Sequence, residues 1–507
     1  MAIQEKEQNA LLARNSILNL VGQVLPLLVG IATIPYILKA LGTDGFGILS
    51  IAWMLLGYFG IFDLGLSRAT TKFVAEYLHP DKVHKLPGLV WTSVALQLLL
   101  GFGGAILVAA LVPLTVNRLF KMPPLWVGEA KTSLFILCAA LPILLCSNAL
   151  RGVLEAAQRF DLVNYIKMPA SISLYVLAAL AIPFGIRVWG IVLLSVLSRV
   201  IAAGAYLAFC FRVFPQLRTQ LSLSIVEMRS LASFGRWVMI SNTAGPTYAY
   251  LERFLIATVL SVSMLGLYSA PFELASRVLI FPGSVAPTLF PFFSYHRNRG
   301  AAVISDVTSR ALKFLLFVMT PITVGFVFFA REIMQLWLGP EFASKSTVVL
   351  QLLAISFFLN AFALIPYTSV QALGRPDLKA ILDLLALPAF AISSWLLMQY
   401  MGINGAALAK LLITVVDCTF LFGFAWKLKA FSLRDCISGP LFRALLASGG
   451  LILAAFLIEF FHAPLPVAFF LLLACFACYA ATFWFVAVDG DDRTSIKSLS
   501  PQLLSKR

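Results

Sequence analysis

Eight charged side chains lie inside apolar stretches that are each long enough to cross a lipid bilayer. They are Asp63, Arg199, Glu252, Arg253, Glu273, Arg277, Lys410 and Asp417. A charged side chain at the centre of a bilayer costs about 2.5–3.5 kcal/mol even on the lenient insertion scale, so none of the eight is expected to face lipid. We therefore expect these side chains to pair with one another or to line a polar cavity inside the protein.

The composition predicts an all-α polytopic membrane protein. Of the 507 residues, 60% are hydrophobic and only 12% are charged, whereas soluble domains carry about 25% charged residues. The apolar runs are about twenty residues long, which is typical of membrane helices and excludes the ten-residue alternating strands of an outer-membrane barrel. The net charge of +15 is explained by basic cytoplasmic loops. Nucleic-acid binding is not expected, because the basic clusters lack interleaved aromatic residues.

Polar breaks divide the chain into about fourteen predicted spans, with Lys and Arg concentrated in alternate loops. One such loop contains Arg212, Arg218, Arg229 and Arg236. Because cytoplasmic loops collect basic residues, this pattern predicts that both termini are cytoplasmic. The Cys475–Cys478 pair falls inside the last apolar run and is interpreted as packing, so no metal or redox site is predicted.

An internal repeat with an offset of about 215–219 residues divides the spans into two parallel six-helix lobes. The three matching pairs of segments are LGTDGFGILS with LSVSMLGLYS, QRFDL with GRPDL, and GIRVWG with GING. The predicted lobes are residues 1–212 and 213–430. Residues 431–507 are then two additional transmembrane helices and a cytoplasmic tail.

The basic residues within the spans predict an anion site. Arg199 has no acidic neighbour on its own helix, and Arg253 and Arg277 lie on the next two spans. Lys410 is on the repeat mate of the Arg199 span. A guanidinium group suits phosphate because it can donate two parallel hydrogen bonds. We therefore predict that Arg199, Arg253, Arg277 and Lys410 bind an anionic or diphosphate group of a substrate.

The acidic residues leave two interpretations open. Glu252 and Asp417 are candidates for coupling transport to H⁺ or Na⁺. Glu273 and Arg277 are four residues apart on one helix, so they are expected to form a structural pair. Asp63 lies at the end of its span and is interpreted as a helix-end anchor. Ion pairs that only hold helices together remain the alternative throughout.

Motifs of soluble enzymes are missing from the sequence, including Walker, GxSxG and HExxH patterns. The longest predicted external loops are too short to carry the acceptor-binding and catalytic groups of a polysaccharide polymerase or ligase. We therefore expect a protein that is not an enzyme and that needs no cofactor besides a coupling ion.

The segment RNSILNLVGQVLPLLVGIATIPYILKALGTDGFGILSIA and the following FDLGLSRATTKFVAEY resemble the N-terminus of polysaccharide or O-antigen repeat-unit flippases of the Wzx type. The matching elements are Asn15, Asn19, Pro35, Leu41, Gly42, Phe46, Gly47, Gly65 and Arg68. LEAAQRFDLVNYIK and QALGRPDLK are also similar to cytoplasmic turns of that family, which belongs to the multidrug/oligosaccharidyl-lipid/polysaccharide (MOP, MATE-like) exporter superfamily.

The resemblance implies alternating access between two lobes in the bacterial inner membrane. The implied substrate is an undecaprenyl-diphosphate-linked oligosaccharide, and the implied pathway is the synthesis of O-antigen, capsule or exopolysaccharide. The implied partners are membrane lipids, a polysaccharide polymerase and a chain-length regulator. Two alternatives within the superfamily are a cation-coupled multidrug antiporter and a lipid II flippase, and a membrane-embedded polymerase or ligase is the least expected.

Overall fold

A computed structural model describes residues 2–79, 81–296, 301–431, 440–461 and 464–487. Within these ranges the chain is almost entirely helical and contains no β-strand. The helices are α1 (Ala2–Tyr58), α2 (Leu66–Tyr77), α3 (Leu86–Leu114), α4 (Pro124–Ala156), α5 (Phe160–Ala181), α6 (Val188–Val213), α7 (Gln216–Thr219), α8 (Ile225–Leu255), α9 (Val262–Ser276), α10 (Ile280–His296), α11 (Ala301–Phe328), α12 (Ala330–Leu338), α13 (Pro340–Lys345), α14 (Thr347–Ala372), α15 (Pro376–Met401), α16 (Ile403–Lys427), α17 (Pro440–Phe460) and α18 (Leu465–Thr482).

Twelve helical segments among the described residues are long and apolar enough to cross a membrane. The prediction of an all-α polytopic membrane protein is therefore confirmed, and the count of fourteen is approximate. The first two predicted spans overlap one apolar segment, Leu25–Gly57, in which the backbone at Gly42 is not helical, so that α1 consists of two helical limbs that meet near the predicted boundary. Gly42 has a φ of 69°, a left-handed conformation that glycine adopts without steric penalty. Helix α8, which contains Glu252 and Arg253, is not among the twelve.

The described helices form two compact units, unit 1 (Met1–Ala270) and unit 2 (Pro271–Arg507). The lobe boundaries predicted at residues 212 and 430 stay predictions. The tail at 488–507 and the side chains of Asn15 and Asn19 lie outside what the structure describes.

Unit 1 has a buried apolar core where α2, α3, α4 and α6 meet. Its members include Val74, Leu89, Val153, Leu154, Tyr206 and Cys210. The core extends to Leu217 on α7 and Leu231 on α8. The Tyr77 hydroxyl donates to Glu227 at 2.9 Å, which ties α2 to the start of α8. Burial and the adjacent Glu227 carboxylate raise the pKa of Tyr77 to about 12, so the phenol stays a donor throughout the neutral range.

Unit 2 is built on α14, which packs against α10, α11 and α16. The last two helices attach to α11 through buried hydroxyl groups. The Tyr479 hydroxyl donates to the Leu316 carbonyl at 3.0 Å, and Thr320 donates to Ser448 at 3.3 Å. A buried hydroxyl needs a partner in an apolar setting, so these bonds fix how α17 and α18 sit on α11.

Two turns that the sequence repeat aligns have the same local structure. Gln158 and Gly374 both adopt positive φ, of 59° and 83°. The amide of Arg159 donates back to the Leu154 carbonyl, and that of Arg375 donates to Val370, as in a Schellman-type helix end. In each turn the arginine then makes two hydrogen bonds of 2.9–3.0 Å to the aspartate two residues later, Asp161 or Asp377.

Two glycines that the repeat aligns lie against each other inside unit 1. A Cβ atom added to Gly47 would collide with the carbonyl of Val262, and one added to Gly266 would collide with the carbonyl of Thr43. The contact is reciprocal because Thr43 and Val262 are themselves aligned in the repeat. Ser263 adds a hydrogen bond to this contact, because its hydroxyl donates to the Thr43 hydroxyl at 2.8 Å. The absence of both side chains therefore lets the second limb of α1 and the start of α9 approach backbone to backbone.

We expect G266A to lower the free energy of unfolding by about 1–3 kcal/mol, because the new methyl group has to displace a backbone carbonyl. The matched control is G103A, since an added Cβ at Gly103 meets no atom within 4 Å. The apparent melting temperatures of the two purified variants test this. Equal melting temperatures would contradict the close backbone contact.

Candidate functional site

The eight charged residues that were predicted to lie within spans divide between the two compact units, and Asp63, Glu252 and Arg253 lie outside the twelve apolar segments. Asp63, Arg199, Glu252 and Arg253 lie in unit 1, whereas Glu273, Arg277, Lys410 and Asp417 lie in unit 2. The prediction that Arg199, Arg253, Arg277 and Lys410 line one anion site therefore stays a prediction. Within each unit, these charged side chains differ in the groups that surround them.

Asp63 accepts hydrogen bonds from the first turn of α2. Its Oδ1 atom accepts hydrogen bonds from the Ser67 amide at 3.1 Å and the Ser67 hydroxyl at 2.5 Å, and also from the side-chain amide of Gln97. A carboxylate at a helix N-terminus is stabilised by the unpaired amides and the helix dipole there. The structural surroundings of Asp63 thus match a helix-end anchor.

Arg199 lies about half way along α6, on the face that packs inside unit 1. The neighbouring positions on this face are buried, namely Ser195, Val196, Ala203, Tyr206 and Cys210. Ser198 shares a 2.5 Å hydrogen bond with Ser173, which fixes α6 against α5 at this depth. Arg199 itself is only half-buried, and no side chain among the described residues pairs with its guanidinium.

An unpaired guanidinium within a membrane span is tolerated only where water or a ligand can reach it. Arg199 therefore has the character of a binding residue. The Ser173–Ser198 bond holds the helix that carries it.

Glu252 and Arg253 are in the last turn of α8 and are both buried. The hydroxyl of Tyr268, which is itself fully buried, donates to Glu252 Oε1 at 2.5 Å. This pairing with a tyrosine sixteen residues further along the chain was not predicted from the sequence. Burial places Arg253 in the packed interior of unit 1.

Glu273 and Arg277 form an ion pair, with Nη2 of Arg277 2.7 Å from Oε2 of Glu273. Arg277 begins a 3-10 turn, Arg277–Leu279, that separates α9 from α10. The sequence predicts one continuous span here. The break leaves both side chains partly exposed, at 33% for Arg277 and 24% for Glu273.

Lys410 lies over two aromatic rings. Its Nζ atom is 5.5 Å from the ring centre of Phe272 and 5.9 Å from that of Phe357. The two rings meet edge to face at 5.3 Å. An ammonium group over an aromatic face is stabilised by the ring quadrupole, more strongly where water is scarce. Thr414, one turn further along α16, is buried and bonded to Ser356 at 2.9 Å.

Asp417 is paired with a lysine that the sequence did not single out. Nζ of Lys379 lies 2.7 Å from Oδ1 of Asp417 and 2.5 Å from Oδ1 of Asp383. Lys379 and Asp383 are four residues apart at the start of α15. That i, i+4 spacing was the signal in the sequence that could have pointed to the Lys379–Asp383 pair.

We expect Y268F to lower the free energy of unfolding by about 1–3 kcal/mol, because the hydrogen bond from the Tyr268 hydroxyl to the buried Glu252 carboxylate would be lost. Y36F is the matched control, since Tyr36 is 45% exposed on α1. Apparent melting temperatures of the purified proteins provide the measurement. Equal melting temperatures for Y268F and Y36F would contradict a stabilising hydrogen bond between Tyr268 and Glu252.

For the Glu273–Arg277 pair we expect E273R to reduce the folded yield and the double variant E273R/R277E to restore most of it. The reason is that the exchange keeps an ion pair at the same i, i+4 spacing. Size-exclusion profiles of the detergent-solubilised variants measure the recovery. If the folded yield of E273R/R277E is as low as that of E273R, the positive charge of Arg277 has a role besides this ion pair.

Comparisons with known proteins identify the family. Residues 12–296, more than half of the chain, match the family described as "Polysaccharide biosynthesis protein". A Shigella flexneri protein named for O-antigen transport is 25% identical over 427 residues, which cover 80% of this chain and 96% of the relative. A Haloferax volcanii protein named for flippase action in low-salt glycan biosynthesis is 28% identical, over 38% of this chain and 41% of the relative.

Solved structures of membrane transporters have a similar fold. A MATE multidrug resistance transporter of the MOP superfamily superposes with a TM-score of 0.67 at 15% identity, over 78% of this chain and 94% of the transporter. The lipid II flippase MurJ superposes with a TM-score of 0.68 at 14% identity, over 93% and 99% of the two chains. The predicted resemblance is confirmed: this chain belongs to the polysaccharide biosynthesis protein family and has the fold of the MOP exporters.

Proposed function

We propose that this protein is a flippase that moves undecaprenyl-diphosphate-linked oligosaccharide units across the bacterial inner membrane for cell-surface polysaccharide synthesis. The family match, and relatives named for O-antigen transport and glycan flipping, support the substrate class. The observation that carries the mechanism is Arg199, a guanidinium without a described partner inside a membrane span.

The substrate combines a lipid tail, which stays in the bilayer, with a sugar and a diphosphate that have to cross it. A diphosphate needs strong donors in an otherwise apolar setting, and arginine supplies them in a fork that matches phosphate oxygens. We assign the first diphosphate contact to Arg199. Lys410 and Arg277 are further contacts in unit 2, while Arg253 would become available only if its buried surroundings rearranged.

Transport is proposed to occur by alternating access of the two six-helix lobes, with residues 431–507 outside the repeat. Glu252 and Asp417 are the proposed coupling residues. Both termini are proposed to be cytoplasmic, and a polysaccharide polymerase and a chain-length regulator are the proposed partners on the pathway.

A cation-coupled multidrug antiporter is the second candidate function. Two carboxylates near one another in unit 2, Asp383 and Asp417, favour it, because an antiporter needs acidic groups in its membrane interior. A lipid II flippase is a third candidate within the same fold. An enzyme is not proposed.

Complementation tests the flippase proposal. In a strain that lacks the gene, we expect R199A to reduce surface polysaccharide at least about tenfold, because a charge-assisted hydrogen bond is worth roughly 1.5–3 kcal/mol. R199K should restore part of the surface polysaccharide, because lysine keeps the positive charge but lacks the two parallel donors of the guanidinium group. The control is R118A, which removes an exposed arginine near the end of α3.

Output is compared at matched amounts of protein in the membrane. Wild-type output from R199A would overturn the assignment of Arg199. A deletion strain with normal polysaccharide but increased drug sensitivity would favour the antiporter instead, and loss of viability on deletion would favour the lipid II flippase.

A further inference from the structure

Segments that the predicted boundary at residue 212 assigns to different lobes are in direct contact inside unit 1. On one side are the start of the second limb of α1 and the segment before α4, and on the other are the residues between α8 and α9 and the first turns of α9. The charge pattern predicts that the loops at these positions are external. We call this contact the external latch, and its residues are Thr43, Gly47, Lys121, Val262, Ser263 and Gly266.

The outer part of the external latch is held by hydrogen bonds. The Lys121 amide donates to the Ala257 carbonyl at 3.2 Å, and the Val262 amide donates to the Lys121 carbonyl at 3.0 Å. Ser263 adds its bond to Thr43 at 2.8 Å. Lys121 is exposed, and both Thr43 and Ser263 are half-buried. Because water can replace each of these partners once the segments separate, every bond loses little net free energy on opening.

The inner part of the external latch is a contact between two backbones. Gly47 lies against the carbonyl of Val262, and Gly266 lies against the carbonyl of Thr43. Two segments that meet through glycine can part without either one having to withdraw a side chain from the other. The contact is therefore close but not interlocked at this point.

Ser50 and Ser269 lie about one helical turn beyond the two glycines, at positions that the repeat also aligns. Both residues are 3% exposed, and neither hydroxyl has a hydrogen-bond partner within the described part of the chain. Residues three apart lie on the same side of a helix, so each serine is on the side that carries the glycine contact. A buried hydroxyl without a partner raises the free energy of the folded protein, and it recovers hydrogen bonds when water reaches it.

We propose that the external latch is the gate on the external side of the transporter, and that the unpaired hydroxyls of Ser50 and Ser269 oppose its closed state. Hydrogen bonds at the outer edge stabilise closure, while the two buried hydroxyls favour separation. Opposed contributions of this kind keep two states close in free energy, which a gate needs in order to open and close repeatedly. The role of the latch in transport rests on the proposed function, while its opening and closing do not.

Hydrogen exchange of the purified full-length protein in lipid measures opening without a substrate. The Val262 amide can exchange only when its bond to the Lys121 carbonyl breaks, so its exchange rate reports opening of the latch. We expect S50A and S269A each to slow this exchange at least about threefold, because each removes a buried hydroxyl that favours opening.

The matched control for hydrogen exchange is S133A. Ser133 on α4 is also buried, its hydroxyl also has no partner among the described residues, and it lies outside the external latch. Its replacement should leave exchange of the Val262 amide at the wild-type rate. Wild-type exchange in both S50A and S269A would overturn the role of the two hydroxyls.

A reversible cross-link tests whether the external latch has to open during transport. The variant T43C/S263C places two thiols where hydroxyls are 2.8 Å apart, so mild oxidation should join them. In proteoliposomes with a lipid-linked oligosaccharide, we expect oxidation to reduce transport by this variant at least about tenfold and a reductant to restore it. The matched control is T70C/S93C, whose hydroxyls are 2.5 Å apart between α2 and α3, within one predicted lobe. Its transport should be the same before and after oxidation.

The two experiments separate the external latch from the proposed function. If S50A and S269A slow exchange as expected but the wild type does not transport this substrate, the proposed function fails and the two-state latch stands. Failure of T43C/S263C to form the disulfide, or equal transport by its oxidised and reduced forms, would overturn the external latch as the gate.

Discussion

The energy needed to bury a charge in an apolar environment is the constraint on which the rest of this structure depends. In unit 1 and unit 2, four different kinds of contact offset this energy. Asp63 is met by the amides of a helix start, and Glu252 by a buried phenol. Lys410 lies on two aromatic rings, and Asp417 meets an ammonium. Arg199 is the exception among these residues, and for that reason it carries most of the functional interpretation.

Features that depend on near neighbours in the chain were predictable from the sequence. The apolar run lengths indicated membrane helices, and the spacing of Glu273 and Arg277 indicated an ion pair. The repeat aligned Gly47 with Gly266, and the two glycines do mark a place where side chains cannot fit. Each of these patterns reflects a local rule, such as helical periodicity or the special backbone freedom of glycine.

Features that depend on packing between distant segments were not predictable. Nothing near Glu252 in sequence points to Tyr268, and nothing near Asp417 points to Lys379. Both pairings arise because helices meet at a particular depth and rotation, which a single sequence does not specify. The count of fourteen spans differs from the twelve apolar segments because the two limbs of α1, which meet at the non-helical Gly42, fall in one segment and because α8 is not among the twelve.

The paired turns at Gln158 and Gly374 have a consequence for how the protein is made. The hydrogen bonds of these turns are the one from the arginine amide to a carbonyl of the preceding helix and those from the arginine side chain to the aspartate. Each joins residues within a few positions of one another. Such a turn can form as soon as its residues leave the ribosome, before distant helices exist. The turns that join α4 to α5 and α14 to α15 can thus form before α4 and α14 pack against α6 and α16.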